Sequence, residues 1–226
     1  MSWIFGYFGN TDQQKLTSPE TPLYSFRDSN IILFAGGNQQ TIFFKSNSLN
    51  SCWCLAGVGL ISVGDEYKVL DENDWNNVFN FDKINLSSIN GHFVRITYTN
   101  NELKIITDEL GLREICIVQL ADGYGFTTRI EWLKYFIKPV IDFKEFGSRW
   151  LLQNQISRKS IIKNVTRLVC ANATIKNHYL SIKQNLWQPD FESSYKPGAV
   201  DSAIKKILSI KNKKILLSLS GGLDSR

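Results

Sequence analysis

The 226-residue sequence lacks any apolar run long enough to cross a membrane. Stretches such as Ile31–Gly37 and Leu55–Gly64 are far shorter than the roughly 18 residues that a membrane-spanning helix needs. The N-terminal residues contain no basic segment before the apolar ones and no small-residue cleavage site, which excludes a signal peptide. We therefore expect a cytoplasmic protein with no membrane partner.

Cysteine and histidine are also scarce. Four cysteines are too few to form a disulfide framework in a chain of this length. Cys52 and Cys54 flank Trp53, and on a strand this spacing places both thiols on one face. No second pair of ligands lies nearby in the sequence, and the chain has only two histidines. We predict buried free thiols in a reducing compartment and no metal site.

A basic surface for nucleic acid is missing as well. The formal net charge is +5, but the segment from Tyr195 to Arg226 has seven basic and two acidic residues and carries all of it. The preceding, aromatic-rich part is neutral on balance. A nucleic-acid-binding domain has its basic residues interleaved with aromatic ones. We therefore expect no nucleic-acid partner.

Aromatic residues, in contrast, are abundant: 14 Phe, 8 Tyr and 6 Trp can build a core and exclude a disordered chain. The clearest predicted hairpin joins Phe93–Thr99 to Glu102–Thr107 through Asn100 and Asn101, since Asn tolerates the positive φ of a tight turn. Further strands are predicted at Ser2–Phe8, Ile31–Phe34, Thr41–Lys45, Cys52–Ile61, Arg113–Leu120 and Tyr124–Arg129, and short helices at Glu131–Ile137 and Asp142–Leu152.

The C-terminal part has a different pattern. Pro189 and the pair Pro197-Gly198 mark a linker. Ala199–Ile210 is predicted to be a helix, because its apolar residues recur at helical spacing along one stripe. Lys213–Leu219 is almost entirely apolar, as a buried parallel strand would be.

A glycine-rich loop, Ser-Gly-Gly-Leu-Asp-Ser at Ser220–Ser225, follows this predicted strand. Gly221 and Gly222 let main-chain N–H groups approach phosphate oxygens, and the flanking hydroxyls can donate hydrogen bonds. Asp224 can hold a magnesium ion or a polarised water. The alternative is a plain Gly-Gly turn between a strand and a helix.

This loop resembles the pyrophosphate-binding loop of the N-type ATP pyrophosphatases. Two further segments, Ile89–Phe93 before the predicted hairpin and Thr107–Arg113 after it, are similar to the N-terminal domain of the asparagine synthetase family. The opening Met1–Gly6 is also similar to the start of that family. The chain departs from the family pattern at Thr107, where the family has Arg, and at Glu114-Ile115, where it has Pro-Leu.

The resemblance implies a glutaminase that has been lost. The family attacks glutamine with an N-terminal Cys whose own α-amine is the base, and this sequence has Ser2 at that position. The glutamine-binding loops of the family are absent before Gly91, and of the glutamine-site residues only Asp108 aligns. A nucleophile without the groups that position its substrate is slow. Ser2 is therefore a degenerate nucleophile position and Asp108 a glutamine-site remnant.

The fold implied by the resemblance is α+β: a four-layer αββα Ntn-type sandwich, followed by the beginning of a parallel α/β ATP-pyrophosphatase domain. The implied boundaries are an amidotransferase-like domain at 1–190, a linker at 191–198, and the start of the ATP-binding domain at 199–226. Because the sequence stops directly after the loop, we expect a fragment of a longer enzyme that is inactive by itself.

The implied reaction is formation of an amide through ATP-dependent adenylation of a carboxylate such as aspartate, with ATP and Mg²⁺ as cofactors. One alternative is a lactam, macrolactam or amide synthetase that acts on a peptide or natural-product acid. A second is a non-catalytic scaffold or interaction module, and a homodimer is possible in each case. The residues implied to bind ATP or pyrophosphate are Ser218, Ser220, Gly221, Gly222, Asp224 and Ser225.

Overall fold

The computed structural model describes residues 1–11, 15–48, 50–63, 66–81, 89–151, 159–184 and 198–210. It divides into two compact units, Met1–Gly59 with Asn90–Gln188 and Leu60–Ile89 with Pro189–Arg226. The strands are β1 Trp3–Gly9, β2 Tyr24–Asp28, β3 Ile31–Gly36, β4 Ile42–Ser48, β5 Ser51–Val63, β6 Glu66–Val69, β7 Asn90–Thr99, β8 Glu102–Thr107, β9 Ile115–Leu120, β10 Gly123–Thr127, β11 Val165–Leu168, β12 Ala171–Lys176 and β13 Tyr179–Gln184. The helices are α1 Glu72–Phe81, α2 Phe143–Leu151 and α3 Ala199–Leu208, with 3₁₀ helices at Gln39–Thr41 and Ile130–Tyr135.

The first unit is built on two β-sheets. The first sheet has the strand order β11-β9-β10-β1-β3-β2, and each of these neighbouring pairs is antiparallel. The second sheet has the order β13-β12-β8-β7-β5-β4. In this sheet the turn between β7 and β8, Asn100-Asn101, has φ values of 50° and 59°, and Thr99 pairs with Glu102 across it. The predicted hairpin is therefore confirmed.

A hydrophobic core lies between the two sheets. Ile4 and Phe8 of β1 belong to it together with Ile96 and Tyr98 of β7 and Ile175 of β12. In both sheets these residues occur at every second position, because successive side chains of a strand point to opposite faces. Burial of such side chains supplies most of the free energy that holds the two sheets together.

The outer face of the first sheet is covered too. Trp3 and Phe5 of β1 point away from the inter-sheet core and contact Trp132 of the 3₁₀ helix, with ring centroids 4.9 and 5.8 Å apart. Phe136 stacks on Phe5 at 4.8 Å. Because both of its faces are covered, β1 is apolar at every side chain rather than alternating.

The helices on this side differ slightly from their predicted bounds. The segment predicted as a helix at Glu131–Ile137 is the 3₁₀ helix Ile130–Tyr135. The helix predicted at Asp142–Leu152 is α2, and Asp142 precedes it as a capping residue that accepts from the N–H groups of Lys144 and Glu145. Strand prediction missed β2, β6, β12 and β13, and helix prediction missed α1.

The second unit contains β6, which pairs with the end of β5, and the helices α1 and α3. Asp71 and Asp74 cap α1 reciprocally, since each carboxylate accepts the main-chain N–H of the other at 3.1 and 2.9 Å. The predicted C-terminal helix is confirmed as α3. The strand predicted at Lys213–Leu219 lies outside the described residues.

The fold is thus mainly antiparallel sheet with few helices. No helix in the described ranges has the length and apolar character needed to cross a membrane. Cys52, Cys54 and Cys116 are buried and free, as predicted, while Cys170 is half-buried. Burial raises the pKa of Cys52 and of Cys116 to about 12, so both thiols stay protonated at neutral pH.

Candidate functional site

The start of β1 is the candidate site, because it carries the predicted nucleophile position. Ser2 directly precedes β1, which lies between β3 and β10 in the first sheet. Ser2 is 2% exposed, and its carbonyl oxygen accepts a hydrogen bond from the Arg113 guanidinium. The Ser2 hydroxyl has no hydrogen-bond partner in the described structure. The predicted nucleophile is therefore enclosed, and its own nitrogen is part of the peptide bond with Met1.

Gly37 shapes the wall beside Ser2. Its φ is +97°, and a Cβ atom at this position would lie 2.3 Å from the Met1 carbonyl oxygen and 2.8 Å from Ser2 Cα. Both contacts are with main-chain atoms, which cannot rotate away. Only glycine lets the turn after β3 approach the start of β1 this closely.

Asp108, the second predicted site residue, directly follows β8 and is 1% exposed. One carboxylate oxygen accepts the N–H of Leu112 at 2.8 Å. The other accepts the N–H of Arg113 at 2.9 Å and that of Phe93 at 3.4 Å. The carboxylate thus joins the turn at 108–113 to β7 through hydrogen bonds from three main-chain N–H groups.

The geometry of the turn at 108–113 accounts for the glycine in the segment that carries Asp108. Gly111 has φ +65° and donates its N–H to the Asp108 carbonyl oxygen at 3.1 Å. A Cβ atom at Gly111 would lie 2.3 Å from Val169 and 2.6 Å from the Cys170 sulfur. The acidic residue, the glycine and the arginine of this segment therefore form one folded turn that delivers Arg113 to Ser2.

Arg113 is the third buried polar residue of this cluster, and the sequence did not indicate that it belongs there. It is 7% exposed, and its Nε has no hydrogen-bond partner in the described structure. Burial lowers the pKa of Arg113, and the negative charge of Asp108 acts in the opposite direction. Arg113 belongs to the segment that resembles the asparagine synthetase family, but nothing in the sequence indicates that its side chain reaches Ser2.

His92 lies in the same electrostatic environment. Its pKa is lowered, first by burial and then by the positive charge of Arg113, while Asp108 and Leu112 act to raise it. At neutral pH the imidazole is therefore uncharged. The candidate site thus combines a buried serine, a buried cation held against a main-chain carbonyl, and a carboxylate bonded to three main-chain N–H groups.

The second group of predicted site residues cannot be placed. The residues predicted to bind ATP or pyrophosphate all lie outside the described residues: Ser218, Ser220, Gly221, Gly222, Asp224 and Ser225. Within the described ranges, no three His, Cys, Asp or Glu side chains lie close enough together to hold a metal ion. The predicted roles of this loop stay predictions.

Comparisons with known proteins gave coarse structural likenesses only. No protein-family model matches the chain, and no curated protein matches it. Glutamine phosphoribosylpyrophosphate amidotransferase from B. subtilis, complexed with ADP and GMP, is similar with a TM-score of 0.41 at 14% identity, covering 71% of this chain and 36% of that one. A structure described as the allosteric regulatory enzyme of purine biosynthesis has a TM-score of 0.41 at 13% identity, covering 83% and 43%.

The matched region spans less than half of either solved structure. At these identities and TM-scores, the likeness assigns no role to any residue of this chain. The class defined here is therefore a two-sheet, mainly antiparallel domain with a buried serine at the start of a central strand.

Proposed function

We propose that this chain is the N-terminal part of an asparagine synthetase-like enzyme, which forms an amide by ATP-dependent adenylation of a carboxylate. The observation that carries the proposal is the sequence Ser-Gly-Gly-Leu-Asp-Ser at Ser220–Ser225, directly after an apolar run. Such a loop binds the pyrophosphate that leaves when ATP adenylates a carboxylate, and its N–H groups stabilise the departing charge. Ser218 would belong to the same site.

The architecture of the first unit supports an amidotransferase-like origin for the preceding domain. Its two antiparallel sheets enclose a core, and a 3₁₀ helix packs on the outer face of the first sheet. Ser2 directly precedes β1, which lies inside that sheet. This arrangement is compatible with the four-layer Ntn-type sandwich that the sequence resemblance implies, in which the nucleophile opens a central strand.

The geometry around Ser2 supports a lost glutaminase. With Met1 attached, the Ser2 nitrogen is part of a peptide bond and cannot be the base, and the buried hydroxyl has no other hydrogen-bond partner among the described residues. The carboxylate of Asp108 is occupied by three main-chain N–H groups. A carboxylate used in this way stabilises a turn and has little capacity left for the ammonium group of a glutamine substrate.

The adenylation step has a direct test in the longer protein that contains this chain. With its carboxylate substrate and Mg²⁺, the protein should exchange labelled pyrophosphate into ATP, because adenylation is reversible. Asp224→Ala and Ser220→Ala should each reduce the exchange at least tenfold, since charge-assisted contacts to phosphate are strong. Asp201→Ala on α3 is the matched control and should leave it unchanged. Exchange unaffected by the loop variants would contradict the proposal.

The nitrogen source separates asparagine synthesis from its main alternative. Without a glutaminase, the nitrogen comes from free ammonia or from an amine on the substrate itself. Aspartate, ammonium, ATP and Mg²⁺ should yield asparagine if the enzyme is an ammonia-dependent asparagine synthetase. Pyrophosphate exchange that requires a peptide or natural-product acid would favour a lactam, macrolactam or amide synthetase, an alternative that the enclosed Ser2 also fits.

A further inference from the structure

A cavity of about 770 Å³ lies at one corner of the first unit, away from Ser2, where edge strand β11 of the first sheet faces edge strand β13 of the second. Its walls come from β9, β10, β11 with the residue before it, the turn that joins β12 to β13, and the start of β13. Typical small-molecule sites have volumes of about 300–1,000 Å³. The space is therefore large enough for a ligand of one or two rings.

The inner face of the first sheet changes character where the cavity begins. In β9, Ile115 and Ile117 are part of the inter-sheet core, and Gln119 continues the same row. In β11, Leu168 is in that core, and Thr166 pairs with Ile117 on the same face. Gln119 is exposed and Thr166 is half-buried, so both rows become polar where the space between the edge strands opens to solvent.

The polar side chains of the cavity have unused hydrogen-bonding capacity. Within the described ranges, the side chains of Gln119, Asn164, Thr166 and His178 make no hydrogen bond to the protein; the first, second and fourth are exposed to solvent, and Thr166 is half-buried. An amide, a hydroxyl and an imidazole can each both donate and accept. Four such groups around one cavity provide the few convergent polar contacts that orient a bound ligand.

The walls of the cavity are fixed before any ligand arrives. The Tyr124 hydroxyl of the first sheet donates to the His178 carbonyl oxygen of the second sheet at 3.0 Å. Asn177 and His178 form the tight turn, with φ values of 50° and 61°, between paired residues Lys176 and Tyr179. A preorganised wall lowers the entropy that binding would otherwise cost.

The lining contains no Asp, Glu, Lys or Arg, in a chain of which 21% is charged. A charged ligand would find no ionic partner in this lining. Tyr179 and Leu180 offer an apolar surface beside the polar groups. We propose that this cavity binds a neutral ring compound with several hydroxyl groups, such as a saccharide or a ribonucleoside, through Gln119 and Thr166.

Binding to the full 226-residue chain tests the proposal, and the choice of probes separates the two sources of this chemistry. Maltose and N-acetylglucosamine represent saccharides, and adenosine and uridine represent ribonucleosides. Saturation-transfer NMR and calorimetry should detect saturable binding of at least one of them. Glucose 6-phosphate and AMP, the charged comparison probes, should bind at least tenfold more weakly. No saturable binding of any neutral probe, or tighter binding of a phosphate, would overturn the proposal.

Two variants locate the binding in the cavity. The double variant Gln119→Ala with Thr166→Val removes two hydrogen-bonding groups and should weaken the affinity about tenfold. Thr174→Val makes the same Thr-to-Val change on β12, outside the cavity lining, and should leave the affinity unchanged. Circular dichroism checks that each variant is folded. Equal affinity of the double variant and the wild-type chain would show that the ligand binds elsewhere and would refute the proposed site.

Discussion

Two polar regions of the first unit differ in whether their side chains are buried and hydrogen-bonded to the main chain. At the start of β1, Ser2, Asp108 and Arg113 are buried, and Asp108 and Arg113 bond to main-chain groups. At the corner between β11 and β13, Gln119 and Thr166 make no hydrogen bond in the described structure and border a cavity. In the first region the polar groups stabilise the backbone, while in the second they remain available for hydrogen bonds to a ligand.

This difference shows that the residues of a family motif need not be the residues that are free to bind a ligand. The residues that sequence resemblance marks as catalytic contribute here to the turn at 108–113 and to the start of β1. The residues with free hydrogen-bonding capacity stand in strands that carry no motif. If this contrast is correct, substitutions at the start of β1 should mainly change stability, and those at the corner should mainly change binding.

The largest expected effect belongs to Asp108. Asp108→Ala would remove the carboxylate that three main-chain N–H groups donate to, and would leave Arg113 without its nearby negative charge. We expect the free energy of unfolding to fall by about 3–5 kcal/mol. Urea denaturation followed by fluorescence measures it. Glu109→Ala, at the neighbouring and less buried acidic residue, is the control and should change stability by about 0.5 kcal/mol or less.

Substitutions at two glycines, Gly37 and Gly147, test how closely the turn after β3 approaches Ser2. Gly37→Ala forces a Cβ atom against main-chain atoms of Met1 and Ser2 at positive φ, and should cost about 1–3 kcal/mol. Gly147→Ala in α2 meets no atom within 4 Å and should stabilise the protein by about 0.5–1 kcal/mol. Thermal unfolding of both variants gives the comparison. Equal melting temperatures would mean that the wall beside Ser2 is not tightly packed.

Tyr124 connects the two sheets at the cavity and should have a smaller effect. Tyr124→Phe removes the hydrogen bond to the His178 carbonyl oxygen but keeps the ring. We expect a loss of about 0.5–1.5 kcal/mol in the free energy of unfolding. Tyr179→Phe, at a residue that is 75% exposed, is the matched control and should be neutral. A neutral Tyr124→Phe variant would indicate that the turn is not fixed by this bond.

The smallest effect concerns pH. The pKa of His92 is lowered by burial and by Arg113, whereas an unfolded histidine has a pKa near 6.5. The unfolded chain therefore binds the proton more readily, so stability is full above about pH 6.5 and declines as the pH falls below it. His92→Gln should reduce this decline. NMR titration follows the two histidines of the chain, and a His92 pKa above 6.5 would contradict this account.

How much of the fold the sequence predicted depends on burial. The β7–β8 hairpin could be predicted, because Val94, Ile96 and Tyr98 alternate with polar residues and Asn100-Asn101 supplies the turn. The edge strand β13 could not, since most of its residues are exposed and leave no apolar pattern. An edge strand has one paired neighbour, so its composition is weakly constrained.

The candidate site shows the same limit. Ser2 and Asp108 were identified through a resemblance, whereas the contact of Arg113 with Ser2 joins residues far apart in the chain. The cavity depends on Gln119, Thr166 and Leu180, which only the pairing of strands brings together. Local patterns predict elements, but they do not predict which distant elements become neighbours.

The central claim is that the start of β1 is a structural region without glutaminase activity, and ammonia release from glutamine tests it most directly. The 226-residue chain and its Ser2→Cys and Ser2→Ala variants should all release ammonia at the rate of a protein-free blank. Ser2→Cys adds a better nucleophile but leaves Asp108 bonded to the main chain. Ammonia released well above the blank by the wild-type protein, and lost in Ser2→Ala, would contradict the account.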